Sequence, residues 1–341
     1  MKKISAYQAA ALLIISRLLM LSMYIADNCE NTLLTAVTAA SLDIFKMAVM
    51  LPAIYILQKK NRIISDRQDS ICAVMLGTGA LMFLMILTDR FSSLIESAAP
   101  EHFSKLGVTA VVLTACAYTA SMGIKAVSRT ASLLLPIMTA VFTMIFFELR
   151  PGILPDRLNL YSADPIAEIS HTLTKLAALS SDIFIMFGVF PYISSRPEKT
   201  VKLYLTADGI MTLLFFMTSS SVLGTFSGKT GNVWTVLSYC THGAVIDRSA
   251  AVFLAASTVF FLLTGALLFI ILKDSIKAVK NDISDSKLLL ALSAGIALLL
   301  AAMSVRRTSI ATLSLYVCAV SVIAPIILLS VLPSSNAGKD K

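Results

Sequence analysis

Apolar residues along this chain fall in runs too long and too continuous for the core of a soluble domain. A helix needs about 20 mostly apolar residues to cross a bilayer. Ten such runs predict ten spans, at 7–25, 33–57, 70–94, 106–122, 127–147, 174–193, 202–225, 250–272, 287–304 and 309–332. The fourth and fifth are separated only by a short turn at Gly123 to Ala126. The runs do not alternate apolar and polar residues, which excludes membrane β-strands. The expected fold class is therefore all-α, a polytopic membrane bundle forming one integral membrane domain.

The polar positions inside those runs are few: Asp43, Asp89, Asp182, Asp208, Arg17, Lys46 and Arg90. A charge at the centre of a bilayer costs about 2.5–3.5 kcal/mol even on the mildest scale, so such residues usually have a partner or a task. They are the first place to look for function.

Composition agrees with the pattern. Of 341 residues 57% are hydrophobic and only 14% are charged, against about 45–50% and 25% in soluble domains. The net charge of +8 needs no nucleic-acid partner, because basic residues gather in short loops on one side. With the N-terminus inside, the inner loops and termini carry seventeen Lys and Arg and the outer ones eight. That excess predicts both termini in the cytoplasm. Arg306 and Arg307 run against the rule, which makes the last hairpin the weakest part of the topology. The first run, with no small-residue cleavage site after it, reads as an uncleaved signal anchor. Cys29, Cys72, Cys116, Cys240 and Cys318 contain no CxxC pair, so neither a zinc site nor a disulfide framework is expected.

Two outer segments exceed a plain turn. Residues 148–173 hold Pro151, Pro155 and Pro165, and predict a short amphipathic helix capped by Asp164 with Pro165 at its first position. Residues 226–249 hold Trp234 and Tyr239, which favour the membrane interface. Either segment can serve as an outer lid or as a connector. Five spans before the first of them (1–147) and five after it (174–332), with a tail at 333–341, have a geometric consequence. An odd number per half inserts the second half upside down, as in inverted-repeat transporters with a site at midplane.

Four groups of residues carry candidate chemistry. In the sixth span Ser180, Ser181, Asp182, Gly188 and Pro191 suit a discontinuous helix, whose free backbone groups bind ligands or ions; the plainer reading is a serine-lined helix interface. Ser16 and Arg17 lie deep in the first span, where Arg17 can clamp a carboxylate from a ligand or pair internally with Asp43, Asp89 or Asp182. Asp43 and Lys46 are three apart and meet on one helix face as an intramembrane ion pair. Asp208, followed by Gly209, is expected about two turns inside the inner face, within reach of water, and is a candidate for ion or proton coupling. Asp89 and Arg90 read as an interfacial cap.

Catalytic signatures are missing. His102, His171 and His242 form no HExxH pair, and there is no Walker loop, GxSxG or GxGxxG. No enzyme activity, cofactor or metal is expected.

Several stretches resemble the B subunits of spore germinant receptors, the GerAB family of the amino acid–polyamine–organocation (APC) transporter superfamily. They are Ile4-Ser5-Ala6-Tyr7-Gln8, Tyr118 to Ile124 with Arg129-Thr130-Ala131 and Leu133 to Ile137, Arg150 to Pro155, Phe190 to Ile193 with Arg196 to Lys199, and Ile246-Asp247-Arg248. The chain departs from the family pattern in several features, among them a somewhat short length and the lack of an aromatic early in the second span. Residues 7–25 lack the glycine usual in the first span, and Ser249-Ala250 replaces the acidic residue usual after the last motif. The resemblance implies a five-plus-five inverted repeat with broken first and sixth helices around a central site. It also implies partners, an A-type membrane subunit and a C-type lipoprotein, and a role in sensing nutrients such as amino acids to trigger germination. On this reading Ser16, Arg17, Ser181, Asp182 and Gly188 line the ligand cavity. Arg17 holds an anionic group, Asp182 holds an ammonium or balances Arg17, and Gly188 lets the helix break. The alternatives are a secondary amino-acid or cation transporter with Asp182 or Asp208 coupling ions, and a ligand-free scaffold subunit.

Overall fold

The computed structural model describes residues 3–23, 33–60, 69–98, 104–149, 164–178, 182–194, 197–223, 246–279 and 284–305. These form ten α-helices: α1 (Ala6–Ser22), α2 (Leu33–Lys60), α3 (Asp69–Ala98), α4 (Lys105–Ser121), α5 (Ile124–Leu149), α6 (Pro165–Ala178), α7 (Asp182–Val189), α8 (Pro197–Leu223), α9 (Ile246–Val279) and α10 (Asp285–Val305), with a 3-10 turn at Phe190–Tyr192. Four of them contain stretches long and apolar enough to cross a membrane, at Ala73–Glu96, Ile124–Val141, Pro197–Thr218 and Ala251–Val279. Shorter apolar helices cover Ala6–Ser22, Lys105–Ser121 and Lys287–Ala302. The predicted tenth span, 309–332, lies outside the described residues, as do Ser180, Ser181 and the outer segment around Trp234.

Burial follows the helical period. Residues Ala9 to Ser22 of α1 are buried on all sides apart from half-buried Ile14, and α9 buries a continuous run from Ala266 to Leu272. A helix apolar all round is an interior helix, and these two pack against each other at the centre. On α2, Ala36, Ala39, Asp43, Lys46 and Met50 share the buried face while Val37, Ile44 and Phe45 are exposed. On α8, Val201, Tyr204, Leu205, Asp208, Thr212 and Phe216 are buried, and Leu203, Ile210, Leu214 and Met217 face outward. In the apolar middle of both helices the charged residues Asp43, Lys46 and Asp208 point inward among small and apolar neighbours while large apolar residues face outward, the arrangement a lipid solvent requires.

The packing pairs include α1 with α5, α7, α8 and α9; α2 with α6 and α8; α3 with α4, α7 and α9; α4 with α9 and α10; and α9 with α5, α7 and α10. Small residues let helices approach closely, the main device for helix association in lipid. A methyl group on Gly188 of α7 would sit 2.5 Å from Cδ1 of Ile271 in α9. Phe91 of α3 stacks on Phe261 of α9 at 4.5 Å between centroids.

Several boundaries differ from the sequence expectation. The turn between α4 and α5 is tighter than Gly123 to Ala126: α5 already starts at Ile124 because Gly123 adopts φ +85°, a conformation open to glycine. The helix predicted in the outer segment is capped as expected, with Ala167 N–H donating to Asp164 Oδ1 at 3.1 Å. It continues to Ala178, however, because no breaker occurs before residue 178. The first helix is unbroken over Ala6–Ser22, since it holds neither glycine nor proline. Gly188 does not interrupt α7, which runs through it to Val189; its part is close packing.

Just before α1, the chain pairs in a single parallel bridge with the segment after the 3-10 turn. Ile4 N–H donates to Tyr192 O at 2.8 Å, and Ser194 N–H to Ile4 O at 2.9 Å. Ser5 and Gln8 close a capping box at the start of α1.

Candidate functional site

Where α1, α2, α7 and α8 meet, five charged side chains come together with no contact with solvent worth naming: Arg17, Asp43, Lys46, Asp182 and Asp208 are each at most 5% exposed. Each is delivered by local geometry. Asp43 and Lys46 share the inner face of α2 by their three-residue spacing. Asp182 is the first residue of α7, where a carboxylate is favoured by the helix dipole. Tyr204, Asp208 and Thr212 recur every four residues on the inner face of α8.

Lys46 is the hub. Its ammonium lies 3.0 Å from Asp43 Oδ1, 3.2 Å from Asp182 Oδ2 and 3.4 Å from Asp208 Oδ2. Arg17 bridges the other side: Nε is 2.6 Å from Asp208 Oδ1, and Nη2 donates to Asp43 Oδ1 at 3.4 Å and to Thr212 Oγ1 at 3.2 Å. The Nε contact is an ion pair whose N–H is poorly aligned for a hydrogen bond. The Tyr204 hydroxyl donates to Asp182 Oδ2 and lies 3.3 Å from Asp208 Oδ2. Thr212 in turn donates to Asp208 Oδ1 at 3.3 Å.

The network is incomplete. On the residues of the cluster and on Ser16 beside Arg17, the buried atoms Ser16 Oγ, Arg17 Nε, Arg17 Nη1, Asp43 Oδ2 and Asp182 Oδ1 have no hydrogen-bond partner among the described residues. An unsatisfied buried polar group costs about 1–3 kcal/mol, more when charged, so each orphan calls for an explanation.

The sequence candidates are thus partly assembled. Arg17, Asp43, Lys46, Asp182 and Asp208 converge, and Ser16 adjoins them on α1. Asp208, expected within reach of water, is fully buried in the cluster. Ser181 lies outside the described residues. Gly188 packs on Ile271 and joins no polar contact of the cluster. Asp89 pairs with Lys105 in a partly exposed contact between α3 and α4, apart from the cluster. Tyr204 and Thr212 were missed; their four-residue spacing from Asp208 was the available signal. Among the described residues no group of three or more His, Cys, Asp or Glu is gathered tightly enough to hold a metal, because the cationic heads of Lys46 and Arg17 stand between the carboxylates. An open groove of about 940 Å³ runs along the surface of α8, lined by Glu198, Lys199, Lys202, Leu203, Thr206, Ala207 and Ile210. It lies on the outward face, away from the cluster.

Long apolar helices packed around a buried charge centre define an integral membrane protein. The family of spore germination proteins, the spore permeases, matches residues 70–310. The chain belongs to that family. The matched segment holds Asp182, Tyr204, Asp208 and Thr212, while Arg17, Asp43 and Lys46 precede it. No curated protein matches the chain.

Proposed function

We propose that this chain is the B-type membrane subunit of a spore germinant receptor, and that a small nutrient such as an amino acid acts at the α1–α2–α7–α8 centre. The observation that carries this reading is the coincidence of the family assignment with one buried, incompletely satisfied polar cluster. Arg17 Nη1 is the donor left for an anionic group, and Asp182 Oδ1 the acceptor left for an ammonium. A nutrient with differential affinity for two arrangements of these helices shifts their population, and partner subunits read the shift. Binding without chemistry is the mechanism; no enzyme activity is proposed.

A five-plus-five inverted repeat with both termini cytoplasmic accounts for the packing. Counting α7 as the sixth span and α8, α9 and α10 as the seventh to ninth, each span packs on the one five later: α1 on α7, α2 on α8, α3 on α9, α4 on α10. Such pairing is what a pseudo-two-fold axis in the membrane plane produces. An A-type membrane subunit and a C-type lipoprotein are the proposed partners. Secondary transport of an amino acid or cation is the second reading, favoured by the imbalance of charge in the cluster.

Thermal unfolding of the purified chain against amino acids, sugars and nucleosides, with Arg17→Ala alongside, tests the site. A saturable upward shift lost in the variant is expected, together with co-purification of a lipoprotein and a second membrane subunit from spores. Concentrative uptake by liposomes holding this chain alone would replace the receptor reading with transport. The absence of any shift from a folded sample, with partners still attached, would reduce the chain to a scaffold.

A further inference from the structure

The groove along α8 changes character along its length. At the start of the helix its walls are Glu198, Lys199 and Lys202, all exposed. Further along they are Leu203, Ala207 and Ile210, with Thr206 between. Lys199, Leu203, Thr206 and Ile210 follow one another at steps of three and four residues, so they form a single stripe down the helix. Thr206 donates its hydroxyl to Lys202 O at 2.8 Å, which leaves no unsatisfied donor on that stretch to face lipid. Eleven residues separate Lys199 from Ile210, a rise of roughly 16 Å, about half of the ~30 Å hydrocarbon core. The groove thus spans one leaflet, charged at the water end and apolar at the midplane end. That leaflet lies on the side of the N-terminus, because Ile4 is bridged to Ser194, three residues before α8. Lys105, Lys273 and Lys277 are taken up by the carboxylates of neighbouring helices, Asp89 and Asp285. Lys199 and Lys202 make no ion pair among the described residues.

We propose that this groove binds one anionic phospholipid, its phosphodiester held by Lys199 and Lys202 and an acyl chain laid along Leu203, Ala207 and Ile210. Two lysines beside Glu198 leave one net positive charge in the groove, the complement of one phosphodiester. A zwitterionic lipid brings its own cation and gains less. Lysine stems lie along apolar surface while the ammonium reaches the headgroup. Basic pockets beside transmembrane helices recognise anionic headgroups in this way, with a gain of about fivefold in affinity per lysine. The opposite face of α8 carries Tyr204, Asp208 and Thr212. Interfacial anchors set the tilt and rotation of a transmembrane helix, so the bound lipid steadies the α8 side of the buried cluster. The inference needs only that α8 crosses the membrane, and it stands whether the cluster serves a receptor or a transporter.

Native mass spectrometry of the full chain, released from nanodiscs of phosphatidylcholine, phosphatidylethanolamine and phosphatidylglycerol, counts the lipid that stays bound. One phosphatidylglycerol per chain is expected, retained over both zwitterionic lipids and saturating as its share of the bilayer rises. Lys199→Gln and Lys202→Gln should each weaken retention about fivefold, and the two together about twenty-fivefold. Lys199→Arg with Lys202→Arg should keep it. Thr206→Trp fills the groove, leaves every charge in place, and should abolish retention. All three positions are exposed, and thermal unfolding in phosphatidylcholine alone verifies that each variant folds. Equal retention of the three lipids, binding that climbs with phosphatidylglycerol without saturating, or retention kept in the double glutamine variant or in Thr206→Trp overturns the proposal. Displacement of the lipid by glycerol phosphate would show that the headgroup binds without the groove, and overturns it too. So does photo-leucine in place of Leu203 that cross-links, in spore membranes, to another protein and not to lipid.

Discussion

Lys46 is the side chain whose loss the structure says the fold tolerates least. Its ammonium touches three carboxylates within 3.4 Å, and Lys46→Met keeps an unbranched side chain one atom shorter while removing the charge. Three buried carboxylates would then face Arg17 alone, and the surplus would rise from one negative charge to two. Removing one partner of a buried ion pair costs about 3–5 kcal/mol, and three contacts at once put the expected loss at the upper end. Most of a membrane protein's stability margin would go, so the variant should accumulate poorly and unfold early in detergent. The double variant Lys46→Met with Asp182→Asn returns the surplus to one. It should recover at least about 1.5 kcal/mol relative to additivity, within the coupling range of contacting residues. Fluorescence-detected size exclusion of heated samples measures all four corners of the cycle. A Lys46→Met protein within about 1 kcal/mol of wild type, or a double variant less stable than the sum of the singles, would refute the hub assignment.

Other sites give independent expectations. Gly188→Ala places a methyl group 2.5 Å from Cδ1 and 2.6 Å from Cγ1 of Ile271. Overpacking of this kind costs about 1–3 kcal/mol, and Ile271→Ala in the same chain should relieve part of it in thermal unfolding. Gly123→Ala forces alanine to φ +85° and should cost about 1–2 kcal/mol, with Gly123→Asn milder. Asp164→Ala removes the cap of α6, worth about 0.5–2 kcal/mol, and should raise amide exchange in the first turn of α6 before elsewhere. Asp285 is half exposed, and the hydrogen bond from Lys277, with Lys273 nearby, holds its carboxyl below the usual carboxylate range. Its stabilising effect is thus constant across neutral pH and fades only as pH falls through that lowered value. Asp285→Asn should change stability by less than about 1 kcal/mol, and less still in high salt.

Much of this architecture was legible because a bilayer leaves the sequence few choices. Long apolar runs must be helices, and the runs at 33–57, 70–94 and 106–122 match α2, α3 and α4 to within four residues. The charges inside them had to find one another, and the three-residue spacing of Asp43 and Lys46 announced one pair. Depth was harder to read. Asp208 was measured from a span starting at 202, but α8 starts at Pro197. Asp208 therefore stands about three turns from the start of α8. Charged and polar residues at 198, 199 and 202 hid the first turns of α8, because hydropathy marks where the lipid starts and not where the helix does. Tyr204 escaped notice for a related reason: within an apolar run a tyrosine reads as core, and only its four-residue spacing from Asp208 betrays the hydroxyl's role. Glycine's two roles are also indistinguishable in sequence, so Gly188, which suits a break, turned out to serve close contact with α9.

The central claim is that the buried cluster, and not the helical scaffold alone, carries the function of this spore germination protein. Its most direct test is the germination of spores whose only copy of this subunit bears Asp208→Asn, triggered with a pooled nutrient mixture and followed by loss of optical density. Asp208 touches both cations and lies in no outward-facing surface. The account predicts subunit levels in the spore membrane near those of wild type and a nutrient response reduced at least tenfold. Wild-type germination from the same amount of protein would contradict it and leave the cluster a structural device.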